Sequence, residues 1–106
     1  MFILNTTTFN YASAMKEFVT KVGSPVGLHA RPAALFAQSS KSSGCKVMLV
    51  KIAADGAESP AVDGASILKI MSLGIKCGET IKVQVEGDNE DVAAANLQAI
   101  VESADH

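Results

Sequence analysis

The run TIKVQVE at 80–86, followed by Gly87-Asp88-Asn89 and EDVAAANLQAIVES at 90–103, sets the two hydrophobic periods of the chain side by side. In the first, Ile81, Val83 and Val85 alternate with Lys82, Gln84 and Glu86, the period of two that marks a strand with one buried face. In the second, Val92, Ala93, Leu97, Ile100 and Val101 recur at helical spacing. Asp88 or Asn89 stands at the cap, and Glu90 and Asp91 suit the positive end of the helix dipole. A one-faced strand that runs into an amphipathic helix implies a sheet covered by helices on one side, with its other side toward water.

The rest of the chain supplies matching parts. KEFVTKV at 16–22 alternates as a first strand, with Phe18, Thr20 and Val22 on one side. Gly23-Ser24-Pro25-Val26-Gly27 is turn chemistry. From His29 to about Ser42 an Ala-rich helix is expected, with Ala30, Ala33, Ala34, Phe36 and Ala37 as its apolar face, Pro32 in the first turn and Gly44 as the stop. KVMLVKI at 46–52 reads as a strand that turns back through 53–59 into a weak strand at 59–62. Ser66 caps a two-turn helix that ends at Gly74. The order is βαββαβα, an α+β two-layer domain of four mostly antiparallel strands and three helices.

At 106 residues the chain fits one domain, and 48% hydrophobic against 19% charged residues fits a packed interior with few aromatics. Residues 1–14 lack a sustained period and read as an N-terminal extension, with Met15 as an alternative start and 15–106 as the domain. A formal charge of −2 argues against nucleic-acid binding. Cys45 and Cys77 are too few for a disulfide framework or a four-ligand zinc site; one bridge stays open, and free buried thiols are the default expectation. No run approaches the roughly 18 apolar residues of a membrane span, and no secretory signal is visible, so a cytoplasmic location is expected.

Familiar catalytic motifs are missing: there is no paired-histidine metal spacing, no GxGxxG, no Walker loop and no GxSxG elbow, and no cofactor or metal is expected. The unusual feature is Gly27-Leu28-His29-Ala30-Arg31-Pro32. It sets an imidazole at the mouth of a helix whose first N–H groups have no intrahelical acceptor. An anion there gains about 0.3–1 kcal/mol from the dipole. Neutral imidazole is also a competent nucleophile near neutral pH, and Arg31 offers charge-assisted hydrogen bonds. From spacing alone, a histidine at a helix start is more often a surface or weak cap residue than a nucleophile, and an arginine there is ordinarily a solvated surface charge.

GLHARPAA at 27–34 and SILKIMSLG at 66–74 together resemble the histidine-containing phosphocarrier (HPr) family of the bacterial sugar phosphotransferase system, over Met15 to about Ser103. The resemblance implies an open-faced β-sandwich that accepts a phosphoryl group from phosphorylated Enzyme I and donates it to IIA components, a carrier without turnover of its own. It implies phosphorylation of His29 on Nδ1, with Arg31 and the backbone amides of Ala30 and Arg31 around the phosphoryl group. It further implies partner docking through Leu68 and Met71, with Ala34 and Phe36 as further contributors, while Ile67, Ile70 and Leu73 are expected in the core.

Ser66 occupies the position that an HPr kinase/phosphorylase modifies in some lineages, although Ala65 stands where many such relatives carry lysine. The turn from Ile52 to Ala61 is longer than is usual in the family. Two alternatives stay open: a carrier of a nitrogen-related regulatory branch, and a non-catalytic α+β interaction module.

Overall fold

The computed structural model describes residues 15–104. Its elements are β1 Met15–Lys21, α1 Ala30–Ser43, β2 Lys46–Ile52, β3 Val62–Asp63, α2 Ile67–Ser72, β4 Thr80–Glu86 and α3 Glu90–Glu102. The four strands form one antiparallel sheet in the order β1-β4-β2-β3. The chain is thus an α+β open-faced sandwich with the βαββαβα order.

Strand β4 holds the centre because its neighbours match its alternation. Phe18 and Leu49 flank Val83 and Val47 lies beside Val85, while Lys16 on the other side of Val85 stays exposed at the end of β1. Ile81, Val83 and Val85 are fully buried on that face, where they meet Ala33, Phe36 and Ala37 of α1 and Ala93, Ala94, Leu97 and Val101 of α3. Helix α2 contributes Ile70, and the segment behind it contributes Ile75.

Several expected positions are corrected. Val92 is 55% exposed and Ala94 takes its place in the α3 stripe. Asn89 is the N-cap of α3 but makes no hydrogen bond through its side chain. Ala30 points to solvent, because the first residue of α1 precedes the face that meets the sheet. Ile67 is 41% exposed rather than core: in a helix of only six residues, the Ile70 direction alone reaches the interior. Cys45 is half-buried and Cys77 exposed, both as free thiols. Residues 1–14, read above as an extension, lie outside the described residues.

The hairpin from β2 to β3 also departs from expectation. Its second strand is Val62–Asp63, not 59–62. Ile52 bridges Glu58, and Lys51 and Ser59 exchange backbone and hydroxyl bonds, whereas Leu49 pairs with Val62. Three residues on β2 therefore oppose four on the return. The extra residue falls at Pro60-Ala61, where a bulge excuses the missing proline N–H.

Glu58, on the return arm, meets Lys82 at 2.8 Å. Lys82 neighbours Val50 on the face away from the helices, and Val50 is only 5% exposed. That face is thus not wholly open to water. Among the described residues, no helix is long and apolar enough to cross a membrane.

Candidate phosphoryl-acceptor site

His29 is the N-cap of α1, extended at φ −136° and ψ 161°, and its side chain makes no capping hydrogen bond. The imidazole is exposed. Downstream, Ala30 and Arg31 occupy the first two helical positions, and Pro32, buried at the third, has no N–H to offer. Ala30 and Arg31 therefore carry the free amides of the first turn. No acidic residue stands in that turn to compete for an incoming anion. Arg31 is exposed, and among the described residues no ion pair holds it.

Ala30 has φ +47°, the one positive φ at a non-glycine position among the described residues. For a residue with a Cβ, this conformation costs about 1–2 kcal/mol. It marks a backbone held by its surroundings rather than by local preference. Those surroundings are specific. Leu28, fully buried next to His29, donates its N–H to the Ile75 carbonyl at 3.0 Å, and Gly27 donates to the Ser24 carbonyl at 2.9 Å. Gly27, at φ +72°, lies so close to the 75–76 backbone that a Cβ would stand 2.2 Å from the Ile75 oxygen. The residues just before His29 are thus held twice over, by the Leu28 side chain in the core and by the Gly27–Leu28 backbone against Ile75.

The other candidate residues gather on α2. Ser66 is its N-cap and accepts a hydrogen bond from the Lys69 amide at 3.3 Å. Leu68 is 81% exposed, Met71 is half-buried against the core, and Ala34 is half-buried on α1. Phe36 is corrected: it is fully buried between helix and sheet and presents nothing to a partner. Ile67, assigned above to the core, joins Leu68 on the outer face instead.

Sequence reasoning missed the segment behind α2. Lys51 Nζ donates to the Leu73 and Gly74 carbonyls, each at 3.4 Å, and lies 3.4 Å from Glu79 Oε1. That carboxylate also accepts from the Lys76 amide at 2.7 Å. The Lys76 N–H, with Lys51 nearby, holds the Glu79 carboxyl below its ordinary value. Lysine at an inward-facing strand position was the available signal, since only a polar partner above it makes that placement tolerable. No group of three metal-ligating side chains occurs among the described residues.

Residues 16–103 match the family described as PTS-HPr, PTS HPr component phosphorylation site. The chain is 38% identical over 88 residues to the phosphocarrier protein HPr of Mycoplasma genitalium, covering 83% of this chain and 94% of that protein. It is likewise 38% identical over 88 residues to the HPr-like protein Crh of Halalkalibacterium halodurans, covering 83% and 98%. A crystal structure of HPr from Bacillus anthracis superimposes with a TM-score of 0.73 at 36% identity, covering 84% of this chain and 99% of that one.

Proposed function

The chain belongs to the HPr family of phosphocarrier proteins of the phosphotransferase system, and from that premise we propose that His29 accepts a phosphoryl group on Nδ1 from phosphorylated Enzyme I and donates it to a IIA component. The observation that carries this reading is the exposed imidazole at the mouth of α1, beside two amides without helical acceptors.

In the forward step the Nδ1 lone pair forms the N–P bond while the bond from phosphorus to the donor breaks, its electron pair leaving with the donor. The three phosphoryl oxygens then face the amides of Ala30 and Arg31, the positive end of the helix and the Arg31 guanidinium. Onward transfer runs the same displacement in reverse against the acceptor's nucleophile. Because His29 is exposed, each partner must supply the walls that exclude water and align the displacement. Ile67, Leu68 and Met71 on α2, with Ala34 on α1, give that partner an apolar surface, and a flexible methionine suits more than one partner.

Ser66 is a second modification point in this proposal. A phosphate there would sit at the α2 N-terminus and place negative charge on the docking face.

The test is incubation with Enzyme I and phosphoenolpyruvate. An acid-labile, base-stable phosphate on His29 is expected, lost in His29→Ala and passed on to a IIA acceptor. Arg31→Glu should slow transfer with the fold intact. Absence of any phosphate on the chain under these conditions rejects the proposed transfer from Enzyme I.

A further inference from the structure

Segment 73–79 touches both halves of the proposed site. Its first two carbonyls, of Leu73 and Gly74, terminate α2, the proposed docking helix, and receive Lys51 Nζ. Its middle carbonyl, of Ile75, receives the Leu28 amide one residue before His29 and abuts Gly27. Its far end is closed by Glu79, whose carboxylate binds the Lys76 amide and meets the same Lys51 ammonium. Backbone bonds from Val22 N–H to the Glu79 carbonyl and from Gly78 N–H to the Val22 carbonyl, at 3.0 and 2.7 Å, pin that end to the sheet.

Resting on the phosphocarrier reading above, we infer that Lys51 and Glu79 are positioning residues that hold segment 73–79 as a brace and so fix the docking helix relative to the loop presenting His29. One ammonium serves three oxygens. It neutralises the negative end of α2 through two carbonyls, and it draws the Glu79 end of the segment toward the same point. The carboxylate in turn closes the 76–79 turn. Without the ammonium, the Leu73 and Gly74 carbonyls lose their shared donor, and the segment keeps its backbone bonds and the Glu79–Lys76 turn but no tie between its two ends. Ile75 then holds Leu28 less firmly. Neither side chain touches the phosphoryl group, so the effect falls on encounter and alignment with the partner rather than on the displacement itself.

The test compares Lys51→Met and Glu79→Gln with Lys51→Arg, and uses Glu58→Gln, which breaks the exposed pair with Lys82, as the control. Two quantities are read: amide hydrogen exchange at Leu28, and steady-state phosphorylation by Enzyme I with the carrier as the varied substrate. Lys51→Met and Glu79→Gln should each speed Leu28 exchange and raise KM by about three- to fivefold, the range open to a partly exposed pair, with kcat within about twofold. Because the two substitutions change charge in opposite directions, equal effects on KM point to position rather than attraction. Lys51→Arg should restore both readouts, and the double variant should be no worse than either single one. Glu58→Gln should change neither.

Unchanged Leu28 exchange in both single variants overturns the brace even if phosphorylation proceeds normally. Failure of the unaltered chain to accept phosphate overturns the carrier reading instead, and Leu28 exchange then decides the brace by itself.

Discussion

Replacing Gly27 by alanine is expected to destabilise the fold well beyond what its backbone angle demands, and Gly44 provides the comparison. Both glycines have φ +72°, so alanine at either position meets the same left-handed penalty of about 1–2 kcal/mol. Around Gly44, which caps α1, nothing lies within 4 Å of an added Cβ. At Gly27 the added carbon would stand 2.2 Å from the Ile75 oxygen and 2.9 Å from Lys76 Cα, and neither backbone atom can turn away as a side chain would. Relief requires the 27–28 and 75–76 segments to part. That breaks the bond from the Leu28 amide to Ile75, and a buried amide left without an acceptor costs about 1–3 kcal/mol more.

The expected gap between the two variants is therefore about 2 kcal/mol, or roughly 8–16 °C in Tm for a domain of this size. It is a large share of a total stability of about 5–15 kcal/mol. Urea unfolding of the unaltered chain, Gly27→Ala and Gly44→Ala measures it directly. Equal losses in the two variants, within about 0.5 kcal/mol, would refute the close-contact argument and leave only the shared backbone term.

Phe36 and Leu68 should separate stability from docking. Phe36→Ala is expected to lose about 3–5 kcal/mol in thermal or urea unfolding. Leu68→Ala should stay within about 0.5 kcal/mol of the unaltered chain yet weaken binding to Enzyme I by calorimetry, and the reverse pattern would contradict the burial of one and the exposure of the other. Acid should weaken the fold through two carboxylates held below their ordinary value near 4.5: Glu79, by the Lys76 amide and then Lys51, and Glu102, by hydrogen bonds from Thr20 and Gln98. A lowered folded value means a contribution fully present above about pH 4.5 and lost as pH falls through that lower value. Tm followed from pH 6 to pH 3 should therefore drop less steeply in Glu79→Gln and Thr20→Val, and identical slopes would count against both pairs.

What was legible in the chain was whatever a local period encodes. TIKVQVE names its own buried face, and Gly44 and Ser66 mark helix ends through chemistry that acts within a few residues. The failures share one cause, which is that tertiary packing chooses among positions that periodicity leaves equivalent. Val92 and Ala94 both lie near the edge of the α3 stripe, and the fit against β1 and α1 buries the smaller one. The helical spacing set Phe36 on the apolar face of α1, where it is buried, and only the family resemblance offered it to a partner. The site was half legible. His29, Arg31 and Ser66 announce themselves through cap and turn chemistry, whereas Lys51 and Glu79 are 28 residues apart and meet only after β2 and β4 pair.

The arrangement of concave and open surface bears on how a carrier of this kind divides its labour. Among the described residues, two clefts, about 300 Å³ beside Lys21, Ile52, Gly78 and Thr80 and about 160 Å³ between α1 and α3, are lined without His29 or Arg31, and both of those residues are exposed. A phosphoryl group on His29 would thus rest against backbone amides while its other side faces solvent. Such a site stabilises the modified state only modestly, because a surface helix terminus contributes about 0.3–1 kcal/mol, and it cannot expel water unaided. Modest stabilisation is what two-way transfer needs, since a deeply bound phosphate would be a poor donor. On the proposed function, selectivity would then arise where chain meets partner, on the exposed Ile67 and Leu68 and the half-buried Met71. A brace that fixes this surface relative to His29 accordingly governs which encounters become productive, without touching the reacting atoms.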